Sequence, residues 1–339
     1  MRGLETAVGA CADETRFSGV VRVDRAGETV LCRAYGPADR RWQVGNDVDT
    51  QFGIASGTKG LTAMTVISLI EEGALELGTP ARAVLGSDLP LIGDDVTVEH
   101  LLSHRSGIGD YLDEDVGVDV RDHVLTIPVH GLATTEQYLA VLDGHRTKFP
   151  AGERFAYSNS GFVVLALIAE RVAGVPFHDL VAERVCRPAG MHRTAFLRSD
   201  ELPGGAATGY LEKEGLRTNV LHLPVRGSGD GGIYTTAADV HALWAAFLGG
   251  RIVSPEWVAE MVRPRGEMAP GSRRYGLGIW LHPTADRLML EGSDPGVSFR
   301  SVHDRSSGIT HTVLSNTTDG AWPIARHLDE ALLRVNGEG

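Results

Sequence analysis

A chain of 339 residues has room for one large domain or two intimate ones, and its 42% hydrophobic and 22% charged residues are ordinary for a globular protein. The formal charge of −12 leaves no basic face for nucleic acid or anionic lipid, and no segment approaches the roughly twenty uninterrupted apolar residues of a membrane span. The start, Met1 to Gly19, carries Glu5, Asp13 and Glu14 and lacks the apolar run of a secretory signal, so a cytoplasmic location is expected.

In chain order, Arg2 to Cys11 has apolar residues at helical spacing (Leu4, Val8, Cys11). Gly19–Val23 and Thr29–Ala34 read as a hairpin across the turn-forming Asp24–Gly27. From Ser56 to about Ile70 the sequence is apolar on nearly every side, the mark of a buried helix, and Glu71, Glu72 and Gly73 end it. Gly161–Ala173 is a second helix of that kind. Thr236–Leu248 follows, opened by Thr236 and Asp239 in a near-capping-box and closed by Gly249. Strands are expected at Tyr275–Leu281, Leu288–Leu290, Val297–Val302 and Ile309–Leu314. A last helix spans about Trp322–Val335, with Pro323 in its first turn and Gly337 just past its end.

Strands near both ends with helices between predict an α/β (α+β) fold. An antiparallel sheet is flanked by N- and C-terminal helices, and a mostly helical region is inserted. The expected division is residues 1–75 plus 245–339 as a discontinuous sheet domain and 76–244 as a mainly helical one, with the active site between them.

Two motifs carry chemistry. In Ser56-Gly57-Thr58-Lys59, positions i and i+3 share a helix face, so hydroxyl and amine can meet. Helix-start N–H groups can hold an oxyanion, while the dipole and burial both push the amine toward its neutral, basic form. Only three of the 32 basic residues are lysines (Lys59, Lys148, Lys213), and lysine, unlike arginine, can lose its proton. The second motif is Tyr157-Ser158-Asn159, where the phenol can relay a proton and the amide can orient a substrate carbonyl.

With these two motifs in this order, the chain resembles the class C β-lactamase-related serine hydrolases, which include D-alanine carboxypeptidases, D-aminopeptidases, family VIII esterases and some acyltransferases. Further matches are Leu101-Leu102-Ser103-His104-Arg105-Ser106-Gly107-Ile108, Pro188-Ala189-Gly190-Met191, Asp230–Asp239 and Tyr275-Gly276-Leu277-Gly278. The resemblance implies a β-lactamase/penicillin-binding-protein-like fold, Ser56 as nucleophile, and Lys59 and Tyr157 as its proton-handling partners. It also implies Asn159 as substrate-orienting residue, Gly292 and Ser293 at the oxyanion hole, and no cofactor or metal. The chain departs from the family at Leu290-Glu291-Gly292-Ser293-Asp294-Pro295-Gly296. Relatives carry Lys or His where Leu290 stands, and that cation meets a substrate carboxylate. The expected substrate is therefore a small-molecule ester or amide without a free carboxylate. A β-lactamase or D-Ala-type peptidase, an acyltransferase and an inactive scaffold are the alternatives, and oligomeric state stays open.

Four other features are read as structural. Cys11, Cys32 and Cys186 lack metal or redox spacing and are expected as buried thiols. His100 and His104 lack the glutamate of a zinc helix. Gly227–Gly232 is expected as a flexible loop at the rim of the site, and Asp110–Asp122 as a solvated acidic loop.

Overall fold

The computed structural model describes residues 2–114, 117 and 119–335. An eight-stranded antiparallel sheet has the order β2-β1-β12-β11-β10-β9-β8-β7, so both ends of the chain meet at its middle. The strands are β1 (Gly19–Arg25), β2 (Glu28–Tyr35), β7 (Gly266–Glu267), β8 (Arg274–Tyr275), β9 (Trp280–Leu281), β10 (Arg287–Asp294), β11 (Val297–Asp304) and β12 (Ile309–Ser315). Two small ladders stand apart, β3 (Pro37–Asp39) with β4 (Val44–Gly45) and β5 (Phe52–Gly53) with β6 (Tyr234–Thr235). The β1–β2 turn places Ala26 and Gly27 at φ 51° and 83°, the doubly left-handed turn whose twist matches a two-residue hairpin.

The sheet is covered on both faces, which the period-two alternation of β1 and β12 makes possible. Val21, Val23, Ile309 and Val313 point to one side and pack with Val8 and Ala12 of α1 (Arg2–Thr15) and Ile324 and Leu328 of α11 (Ala321–Val335). Val20, Leu314, Phe299 and Leu290 point to the other and join the larger core. That core is built on α2 (Thr58–Glu71) and α6 (Asn159–Ala173), whose residues from Thr58 to Ile70 and from Asn159 to Ala169 are all buried. Between them run short helices, α3 (Ala81–Leu85), α4 (Val98–Leu102) and α5 (Leu139–Leu142). After α6 come α7 (Phe177–Val181), α8 (Arg187–Ala189), α9 (Ala237–Leu248) and α10 (Pro255–Met261).

The helix boundaries follow local chemistry. Ser158 caps α6 by accepting from Gly161 N at 3.0 Å, and Gly174 ends it in the left-handed region. Thr236 caps α9 by accepting from Asp239 N at 3.2 Å, but Asp239 does not complete a capping box. Its carboxylate accepts instead from Arg193 N and Thr194 Oγ1, tying α9 to the preceding loop. Gly337 lies outside the described residues.

Three expectations are corrected. Tyr275–Leu281 is two short strands, because Gly276 donates its N–H to Ile279 O and Gly278, at φ 80°, turns the chain back. A Cβ at Gly278 would fall 2.1 Å from Ala63 Cβ of α2, so no other residue fits. Of the cysteines only Cys186 is buried; Cys11 lies on an outer helix and Cys32 on the edge strand β2, both partly exposed. Asp110 is also buried, as described below. Leu328 is fully buried between α11 and the sheet, so Leu328→Ala should lower unfolding free energy by about 2 to 5 kcal/mol in urea titration without disturbing Ser56.

Candidate active site

Ser56 sits on a strained turn rather than inside a helix. Ile54 N donates to Ile233 O at 3.0 Å, fixing the end of β5. Ala55 then takes φ 46°, a region costly for a residue with a Cβ, and a 3₁₀ turn over Ala55–Gly57 leads into α2. Gly57 N donates to Ile54 O at 2.8 Å. The Ser56 N–H, one residue earlier, is not consumed by the turn.

Lys59 is fully buried, one turn on. Its Nζ lies 2.8 Å from each of three oxygens: Ser56 Oγ, Asn159 Oδ1 and the Asp230 carbonyl. Burial holds its pKa below that of an ordinary lysine, against the opposing pull of Asp230 and other acids. Two of the three oxygens can only accept. A neutral amine therefore gives its two N–H to Asn159 and Asp230 and turns its lone pair on the Ser56 hydroxyl.

Tyr157 closes the other side. Its ring centroid lies 4.9 Å from Lys59 Nζ, and the nearby Ser56 hydroxyl pulls the pKa of the phenol down against the larger effect of burial. Burial raises the phenol well above its usual pKa, so it stays protonated at neutral pH. The ring lies between Trp280, nearly parallel at 5.9 Å, and His104 at 4.3 Å. His104 is buried, its Nδ1 accepts from Ser158 N at 3.0 Å, and burial keeps it neutral. Sequence reasoning quoted His104 as part of a motif and gave it no task; the structure makes it the prop of the Tyr157–Asn159 segment. His100 is engaged by Thr97 in the cap of α4, and no metal-ligating group of three or more side chains occurs among the described residues.

The structure brings Asn159 to the site with its amide already committed. Oδ1 accepts from Lys59, and Nδ2 donates to Leu112 O at 2.9 Å and toward Glu114 Oε1 at 3.3 Å. Its first contact is thus with the lysine. Asp110, expected in a solvated loop, is buried and accepts from Asn159 N, Ser160 N and Ser160 Oγ at 2.7 to 3.0 Å, so it pins the start of α6. The carboxylate is stabilised there by the helix N-terminus.

Gly292 and Ser293 lie on β10 against the nucleophile turn. A Cβ at Gly292 would stand 2.2 Å from Ile54 O and 2.7 Å from Ser56 N, so only glycine lets the strand approach. The next peptide, with the Ser293 N–H, then runs beside the Ser56 N–H, while the Ser293 side chain is exposed. Leu290 is buried against Gly60 of α2 and supplies no charge.

Gly227–Gly232, expected as a flexible rim loop, is packed between helices. Thr62 Oγ1 donates to Gly229 O at 2.7 Å, and a Cβ at Gly229 would strike Phe162 O of α6 at 2.1 Å. This close seating delivers the Asp230 carbonyl to Lys59. A cleft opens from Ser56. Its walls include Tyr111, Tyr138, Asn159, Asp230, Tyr234 and Asp294. The Tyr111 hydroxyl donates to the Asp230 carboxylate, burial raises the pKa of Asp230, and burial with the Asp230 charge pushes Asp294 up to about 7. Sequence reasoning placed the loop of Asp230 at the rim of the site and missed Tyr111 and Asp294 as cleft residues. Gly292→Ala should abolish phosphonate labelling of Ser56 while circular dichroism shows an intact fold, since the methyl group displaces β10 from the Ser56 N–H.

A family model described as Beta-lactamase matches residues 4–335. The chain is 29% identical over 304 residues to esterase EstB of Burkholderia gladioli, covering 78% of this chain and 74% of that one. It is 27% identical over 334 residues to a D-aminopeptidase of Brucella anthropi, covering 94% of this chain and 59% of that one. A crystal structure of a penicillin binding protein from Bacillus halodurans superposes with a TM-score of 0.90 at 32% identity, over 96% of this chain and 99% of that one. With that match spanning nearly every residue described above, the chain belongs to the β-lactamase family and is a serine hydrolase of it.

Proposed function

We propose that this hydrolase cleaves small esters or amides that carry no free carboxylate, through an acyl-enzyme on Ser56. The observation that carries the reading is the pairing of Ser56 with a buried, base-poised Lys59 in a cleft whose expected cationic position is Leu290. Ser56 Oγ attacks the carbonyl carbon and its proton passes to Lys59 Nζ. The oxyanion rests on the N–H groups of Ser56 and Ser293, where one donor is worth about 3 kcal/mol of barrier. As the tetrahedral adduct collapses, the bond to the leaving oxygen or nitrogen breaks, and that atom takes the proton through Tyr157. Water then adds to the acyl-enzyme, giving up its proton to Lys59, and the acid departs with Ser56 restored.

The pKa directions assign the two partners. Lys59 is lowered and loses its proton more readily than an ordinary lysine; Tyr157 is raised and keeps its own. Lys59 is therefore the base, and Tyr157 passes a proton without becoming a standing phenolate. Asn159 holds the lysine in register. The ester reading is supported by the likeness to an esterase and the amide reading by the likeness to a D-aminopeptidase.

The test is hydrolysis of p-nitrophenyl butyrate beside a chromogenic cephalosporin, which bears a carboxylate. Ester turnover that disappears in Ser56→Ala, with little cephalosporin cleavage, is expected; fast cephalosporin cleavage would overturn the meaning given to Leu290. Because the base must be neutral, ester kcat/KM should rise with pH to a plateau reached below the ordinary lysine pKa of about 10.4. Lys59→Met should remove that rise and cost at least about a hundredfold in rate.

A further inference from the structure

We propose that the acyl part of the substrate carries an ammonium group, which seats on the Asp294 carboxylate while the scissile carbonyl lies on Ser56. The proposal rests on the serine-hydrolase reading above and narrows it to a substrate class. The cleft wall beside the nucleophile holds two carboxylates, Asp230 and Asp294, and no lysine or arginine lines it among the described residues. An anionic substrate would meet repulsion there, and a cation would meet attraction, in a partly dry space that strengthens both.

The two acids differ in what they already bind. Asp230 accepts from the Tyr111 hydroxyl, and its carbonyl accepts from Lys59. Lys59 Nζ is already engaged by Ser56 Oγ, Asn159 Oδ1 and the Asp230 carbonyl, in either protonation state. The Asp294 carboxylate receives no hydrogen bond from any described residue, although the residue is only partly exposed. A carboxylate in that position is costly unless it is protonated or paired. A ligand ammonium would supply the missing partner.

The placement is also rigid and near. Asp294 ends β10 at the turn into β11. There Asn219 Nδ2 donates to Pro295 O at 2.9 Å, and Thr318 Oγ1 accepts from Gly296 N at 3.0 Å. A single Cβ at Gly231 would lie 3.7 Å from Asp294 Oδ2 and 3.5 Å from the carbonyl carbon of Ala55, the atom bonded to Ser56 N. The Asp294 carboxylate and the backbone that carries Ser56 thus face each other across Gly231, and both residues line one cleft. Groups a few bonds apart on one acyl chain reach both, and Leu112, Leu125, Leu197 and Leu223 line the space beyond.

Matched p-nitrophenyl esters of β-alanine and butyric acid test this, since they differ in an ammonium against a methyl. Each kcat/KM is divided by the ester's uncatalysed hydrolysis rate to remove intrinsic reactivity. The wild type should favour the β-alanyl ester by about tenfold or more, the scale of a charge-assisted contact. Asp294→Asn should bring the two esters to near parity, and Asp294→Glu should restore much of the preference. The preference should also grow from about pH 6 to about pH 8 as Asp294 ionises against Asp230, Glu114, Lys59 and Tyr234, the groups whose charges it feels, and Asp294→Asn should lack that growth. His123 and His222 also line the cleft, so a growth that persists in Asp294→Asn would belong to them and overturn the assignment. Equal normalised rates in the wild type, or an undiminished preference in Asp294→Asn, would likewise overturn it. If neither ester turns over and a phosphonate fails to label Ser56, the hydrolase reading itself falls, and this inference with it.

Discussion

The site depends on the burial of one amine. Lys59 Nζ is removed from water and surrounded by Ser56 Oγ, Asn159 Oδ1 and the Asp230 carbonyl, each at 2.8 Å. An ammonium satisfies all three by donating; a neutral amine satisfies two and accepts from the third, the Ser56 hydroxyl proposed as nucleophile. Both states are hydrogen-bonded, so a proton can be exchanged with Ser56 without stranding a buried polar atom. Desolvation sets the direction of the pKa, and the pair of fixed acceptors sets where the lone pair points.

Bringing those oxygens together from distant parts of the chain is what the surrounding structure accomplishes. Ser56 and Lys59 are linked by the turn that starts α2. Asn159 opens α6, whose first N–H groups are gathered by Asp110, and the Asp230 carbonyl comes from the glycine loop wedged between α2 and α6. Close backbone approach recurs: Gly229 on α6, Gly292 on the nucleophile turn and Gly278 on α2. The positive φ at Ala55 is tolerated because β5, β6 and β10 hold the turn from both sides. A well-packed core around α2 is therefore a condition of reactivity as well as of stability.

Much of this was legible in the sequence, because the strongest signals were physical. A lysine opening an all-apolar helix in a chain that otherwise prefers arginine has few uses besides chemistry. The hairpin, the two buried helices and the terminal helices followed from period and caps. The misreadings share a cause. Gly227–Gly232 does line the cleft as a rim loop would, but Gly229 and Asp110, in segments whose composition says turn or solvated loop, are buried through contacts that composition does not encode. The one-strand reading of Tyr275–Leu281 failed for the same reason, since the pattern holds no record that Gly278 must pass against Ala63. Asp294 could not be placed at the cleft until the β10–β11 turn and the glycine loop were seen to face each other.

The substitution at Leu290 gains meaning from what surrounds it. Losing a cation at one point would by itself leave a neutral cleft, tolerant of many substrates. Here the cationic position is apolar and packed on Gly60, while Asp230 and Asp294 supply carboxylates to the cleft. The field of the cleft is therefore inverted relative to one that receives a carboxylate. Lys59, behind Ser56, is engaged by Ser56 Oγ, Asn159 Oδ1 and the Asp230 carbonyl. Specificity of this kind works mainly by exclusion, because like charge in a partly dry cleft costs more than a single added contact returns. The machinery at Ser56 can be common to a family of hydrolases while the walls decide which charge may approach it, and in this chain the walls are acidic.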